Sequence, residues 1–127
     1  MAVIGVGIDV VDIERAEAML TPRRRRVLGR LLTEAEGDYV AKMRHPARHL
    51  AVRLAAKEAV YKALQSLPDG RAVGWREIEV VRGLHGKPRI ELTGLALTVL
   101  GSRRGARVHI SLTHSARSAV AVAIVED

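Results

Sequence analysis

Cysteine and phenylalanine are both missing from this sequence, and its aromatic residues are only Tyr39, Tyr61 and Trp75. Without cysteine there can be no disulfide and no thiolate chemistry, which agrees with a reducing, cytoplasmic setting. So few aromatics weaken any scheme in which nucleic-acid bases stack on side chains, although binding to a phosphate backbone stays open. No apolar run approaches the roughly 20 residues of a membrane-spanning helix, so no membrane partner is expected. The start, Met1 to Gly5, lacks the basic region and small-residue cleavage site of a secretory signal. Acidic residues are also in deficit, 14 against 21 lysines and arginines, for a net charge of +7. The partner or substrate should therefore be anionic, and a basic nucleic-acid-binding module is one reading of that charge.

At 127 residues the chain suits one domain, 1–127, with a real core. From Val3 to Val11 the pattern has a period of two, Ile4, Val6, Ile8 and Val10 on one side and Gly5, Gly7 and Asp9 on the other. This predicts a strand with one apolar side, and bare glycines beside Asp9 leave room for another backbone or a ligand. Helix starts are written at Thr21-Pro22, at Thr33-Glu34-Ala35-Glu36 as a capping box, and at Pro46. From Pro46 to about Ser66 no Gly or Pro intervenes, which predicts a helix of about five turns, closed by the turn Pro68-Asp69-Gly70. Glu77–Arg82 and Pro88–Leu92 should form a hairpin around His85-Gly86, followed by a short helix from Thr93-Gly94 to about Leu100. Strands follow around Val108–Leu112 and Ser118–Val125, the last apolar on both faces and so needing cover on both sides. The order indicates an α+β fold with a mostly antiparallel sheet and one long and several shorter helices.

On the long helix, residues four apart are neighbours, so Glu58 and Lys62 form one line and Arg53 and Lys57 another. Ala56, Val60, Ala63 and Leu64 occupy the opposite arc and should face the core. Glu58 then sits at the edge of the polar face, where it could join an exposed Glu–Lys pair or border a cleft. Asp9 is the complementary carboxylate, since magnesium is commonly held by one or two carboxylates together with substrate phosphate oxygens. Read singly, an Asp in a strand is more often a turn former or a salt-bridge partner. His114 ends Ser111-Leu112-Thr113-His114 beside a hydroxyl cluster and could bond a phosphate or an adenine edge. His45 and His49 share a helical face, but no third zinc ligand is indicated. Arg23 to Arg26 should wrap around a helix and form a basic edge with Arg15.

Taken in order, Gly5-Val6-Gly7-Ile8-Asp9-Val10-Val11-Asp12, Arg53-Leu54-Ala55-Ala56-Lys57-Glu58-Ala59-Val60-Tyr61-Lys62 and Val108-His109-Ile110-Ser111-Leu112-Thr113-His114 resemble the holo-acyl-carrier-protein synthases. Leu32-Thr33-Glu34-Ala35-Glu36 and Gly86-Lys87-Pro88-Arg89 add to the likeness, which spans nearly the whole chain. The resemblance implies Mg2+-dependent transfer of 4′-phosphopantetheine from coenzyme A to a serine of apo acyl carrier protein, with release of adenosine 3′,5′-bisphosphate. It implies a homotrimer with active sites at subunit boundaries. By position it makes Asp9, Glu58 and Lys62 catalytic, with Asp9 and Glu58 holding the metal and Lys62 facing the leaving phosphate. Arg53, Lys62, Lys87 and His114 would contact coenzyme A, and Arg15, Arg23, Arg24 and Arg26 the acidic carrier. Either Glu58 or a metal-bound water would take the serine proton. Leu54 stands where the family often has Phe, so the core is packed with aliphatic side chains.

Overall fold

In a computed structural model describing residues 2–101 and 105–127, strand β1 (Val3–Asp12) lies along the long helix α4 (Pro46–Leu64). Met1, the first residue of the sequence-based reading, lies outside the described residues. Between these two elements come α1 (Ile13–Met19), a 3₁₀ turn (Pro22–Arg24), α2 (Arg25–Leu31) and α3 (Glu34–Lys42). After α4 follow β2 (Ile78–Arg82), β3 (Pro88–Leu92), α5 (Gly94–Gly101), β4 (Arg107–His114) and β5 (Ser118–Glu126). The fold is α+β, and every strand pairing is antiparallel, divided between a three-stranded sheet in the order β1-β5-β4 and the hairpin β2-β3.

Local signals account for most of these elements. Thr33 and Glu36 close a reciprocal capping box at the start of α3, and Pro46 occupies the first turn of α4. The hairpin turns through His85 and Gly86, both at positive φ. At Thr21-Pro22 the expected helix begins as a 3₁₀ turn before α2. Helix α1 is not marked in the sequence. The Asp12 side chain makes no capping bond, and Ile13 continues the apolar alternation of the strand, so the change of period is hidden; Ile13 N–H is bound by the Arg117 carbonyl at 2.8 Å.

Helix α4 is the axis of the core. Ala56, Val60, Ala63 and Leu64 are fully buried, as their arc predicts. Arg53 and Lys57, expected on a polar line, are buried as well, because α3 and β2 cover the flank of the helix opposite the sheet. The final strand shows why it is apolar on both sides. Ala119, Ala121, Ala123 and Val125 are buried in the core with α4, and small side chains let helix and sheet approach. Its other side carries Val120, Val122 and Ile124, paired with Val10, Ile8 and Val6 of β1. Those β1 residues are 60%, 63% and 61% exposed, so the outer sheet face is an apolar surface that the described residues do not cover. Among the described residues, no helix is long and apolar enough to cross a membrane.

Candidate functional site

The glycines of β1 determine where Asp9 lies. A Cβ on Gly5 would collide with the Ala63 carbonyl, and one on Gly7 with the Ala59 carbonyl, so the strand rides directly on the α4 backbone. Two strand residues advance about 6.6 Å and four helical residues about 6 Å, so the contact steps one helical turn for every two strand residues. Asp9, next in the alternation, therefore arrives one turn below Ala59 on the flank that carries Glu58 and Lys62. Lys62 Nζ donates to Asp9 Oδ1 at 3.1 Å and to the Ile8 carbonyl at 3.0 Å.

Asp9 and Glu58 line one cleft of about 290 Å³ with Arg15, Met19, Leu54 and Trp75. Burial raises the Glu58 carboxyl pKa above its ordinary value, and the charge of Asp9 adds to the rise, while Lys62 and Arg15 act against it. Two carboxylates thus share one cleft, the Glu58 one made harder to ionise by burial and by the other's charge. Arg15, expected at a carrier-binding edge, lines this same cleft. Arg23, Arg24 and Arg26 are exposed around the 3₁₀ turn and the start of α2.

Arg53 and His114 are together, but elsewhere. They line a second cleft of about 410 Å³ with Tyr39, Arg48, His49 and Arg82. No residue is common to the two clefts. Gly86 and Pro88 line the second one, so the exposed Lys87 flanks it. The expected contacts to coenzyme A are accordingly split within one chain, Lys62 bonded to Asp9 of the first cleft and Arg53, Lys87 and His114 at or beside the second. His49 belongs to this second cleft; burial first, then the charge of Arg53, lowers its pKa. Among the described residues, no group of three or more His, Asp or Glu is gathered to cage a metal ion. Tyr39, Arg48, Arg82 and Trp75 were not singled out from sequence as site residues. Only the scarcity of aromatics could have drawn notice to Tyr39 and Trp75.

Against known proteins, residues 5–125 match the family model of the 4′-phosphopantetheinyl transferase superfamily. A holo-[acyl-carrier-protein] synthase of Geobacter metallireducens is 39% identical over 124 residues, covering 98% of each chain. The crystal structure of holo-[acyl-carrier-protein] synthase from Neisseria meningitidis superposes with a TM-score of 0.83 at 30% identity, covering 99% of this chain and 100% of that one. A holo-(acyl-carrier-protein) synthase from Bacillus anthracis, solved in complex with CoA (3′,5′-ADP), gives 0.77 at 30% identity over 98% and 97% of the two chains. The α+β fold is thus that of a transferase superfamily. The chain belongs to the 4′-phosphopantetheinyl transferases, and within them to the holo-[acyl-carrier-protein] synthases, which are enzymes. A nucleic-acid-binding module is not favoured by this full-length likeness.

Proposed function

We propose that this chain transfers 4′-phosphopantetheine from coenzyme A to a serine hydroxyl of an apo acyl carrier protein, with Mg2+ as cofactor and adenosine 3′,5′-bisphosphate as the second product. The observation that carries the reading is that Asp9 and Glu58 line one cleft, with Lys62 bonded to Asp9, in a chain of this family. The donor set fits a hard divalent cation, because two carboxylates lining one cleft are what Mg2+ takes alongside substrate phosphates. Held by Asp9 and Glu58, Mg2+ would polarise the pyrophosphate and neutralise its charge.

The protein's own part is positioning and electrostatics. The serine oxygen bonds to the phosphorus nearer the pantetheine, and the phosphoanhydride bond to the adenosine side breaks. Glu58, or a water held at the metal, takes the serine proton. Lys62, whose ammonium already bonds Asp9 and a β1 carbonyl, offsets the charge that grows on the leaving phosphate. Arg53, Lys87 and His114 contact coenzyme A, and Arg15, Arg23, Arg24 and Arg26 meet the acidic carrier. The working unit is a cytoplasmic homotrimer. Its support is the uncovered apolar face of Val6, Ile8 and Val10 and the separation of the clefts, which lets the first cleft of one subunit and the second of its neighbour form one site.

Purified protein incubated with coenzyme A, Mg2+ and an apo carrier should yield a carrier heavier by one phosphopantetheine group in the mass spectrum. No mass change on any of several carriers, with the protein folded, would sink the reading.

A further inference from the structure

The second cleft has an electrostatic problem of its own. Arg48, His49, Arg53, Arg82 and His114 line it, and among the described residues no carboxylate does. Arginines brought together inside a protein are commonly held by carboxylates, which also cancel their charge. Here one aromatic residue does the holding. The Arg53 guanidinium lies 4.0 Å from the Tyr39 ring centroid and that of Arg82 at 5.6 Å. Arg82 Nη1 also donates to the Tyr39 hydroxyl, and the His49 ring meets Tyr39 edge-on at 5.7 Å between centroids.

Arg53 is only 6% exposed. Its Nη1 donates to the His49 carbonyl at 3.3 Å, while Nε has no hydrogen-bond partner among the described residues. The charge of Glu36 reaches Arg53, but both Glu36 oxygens are engaged by Lys57 and by the backbone N–H groups of Thr33 and Val80. A π face attracts a cation without neutralising it. The cleft therefore keeps its positive charge, together with a buried guanidinium that has donor capacity left.

We propose that Tyr39 is a positioning residue for donor binding: its ring and hydroxyl hold Arg53 and Arg82 in a cleft of uncancelled positive charge that receives an anionic group of coenzyme A. The identity of the donor rests on the transfer reading above; the role of Tyr39 rests on this geometry.

Coenzyme A binding to the full chain by titration calorimetry, and transfer kinetics, are compared for the wild type, Tyr39→Leu and Tyr39→Phe. Tyr39→Leu should raise both Kd and KM for coenzyme A about tenfold while changing kcat less than about twofold. Tyr39→Phe keeps the ring and should recover most of the affinity. A merely structural role would instead lower the folded fraction and leave Kd of the folded protein alone. Unchanged Kd in a natively folded Tyr39→Leu overturns the proposal, as does a wild type that binds no coenzyme A. Should Tyr39→Leu fail to fold, the exposed Arg82→Gln takes its place, with about threefold weaker binding expected and no change overturning the idea. A wild type whose affinity depends on Tyr39 but which modifies no carrier would defeat the transferase reading and leave this proposal standing.

Discussion

Lys57 Nζ lies 2.6 Å from Glu36 Oε1, and neither side chain has any exposed surface. Lys57 also donates to the Ile78 carbonyl at 2.6 Å, and Glu36 accepts from the backbone N–H groups of Thr33 and Val80, each at 2.9 Å. One ion pair thus ties α3, α4 and β2 together beside Glu58. Glu36→Gln leaves the ammonium buried without its counter-charge and should cost about 3–5 kcal/mol, a large part of a typical domain's stability. Replacing both partners, as in Glu36→Leu with Lys57→Met, should cost clearly less. Denaturant midpoints decide the matter, and equal losses would contradict the account.

The raised pKa of Glu58 sets the sign of a pH effect. An acid whose folded-state pKa lies above its unfolded value contributes stability in acid, and that contribution is lost as pH rises through the folded pKa. The metal-free protein should therefore lose stability as pH climbs from the ordinary carboxylate value of 4.5 through the raised one. Mg2+ at neutral pH should restore it. Melting curves with and without chelator test both statements, and Glu58→Gln should flatten the pH term and remove the response to Mg2+.

Gly7 separates backbone contact from chemistry. Gly7→Ala drives a methyl group into the Ala59 carbonyl and should cost about 1–3 kcal/mol through strand displacement. Transfer and Mg2+ stabilisation should fall with it, although both carboxylates remain. Gly37→Ala, in α3, is the control: a Cβ there meets nothing within 4 Å, and the change should stabilise by about 0.5–1 kcal/mol.

Val6 does not line the carboxylate cleft and is 61% exposed on the outer sheet face. Val6→Lys should leave the subunit folded but prevent assembly, seen in light scattering as a monomer mass where the wild type has that of the proposed trimer. Transfer should be lost, while Mg2+ still stabilises the first cleft. An unchanged mass would refute the assignment of this face.

What was legible in the sequence depended on how local the signal was. Pro46, the Thr33–Glu36 box and the His85-Gly86 turn each act within a few residues, and the corresponding elements were predicted within a few positions. The glycines alternating with Asp9 showed that another backbone or a ligand could come close, but not that the neighbour is α4, because the carbonyls they meet belong to Ala59 and Ala63, more than fifty residues further on. Burial of Lys57 and Arg53 was not legible. A helical period tells which residues share a face and not how many faces are packed; the partner of Lys57 lies 21 residues away, on another helix. Helix α1 was hidden by Ile13, which suits a strand as well as a helix. Tyr39 carried no local mark, because its meaning depends on Arg82, 43 residues further on.

That the carboxylate cleft and the arginine cleft share no residue has a genetic consequence for the proposed trimer. A copy lacking Glu58 still lends its guanidinium groups to the adjoining copy, and one lacking Arg53 still offers its carboxylates in return. Two dead alleles, refolded as a mixture, would regenerate some intact junctions, whereas a copy carrying both lesions would spoil two junctions at once.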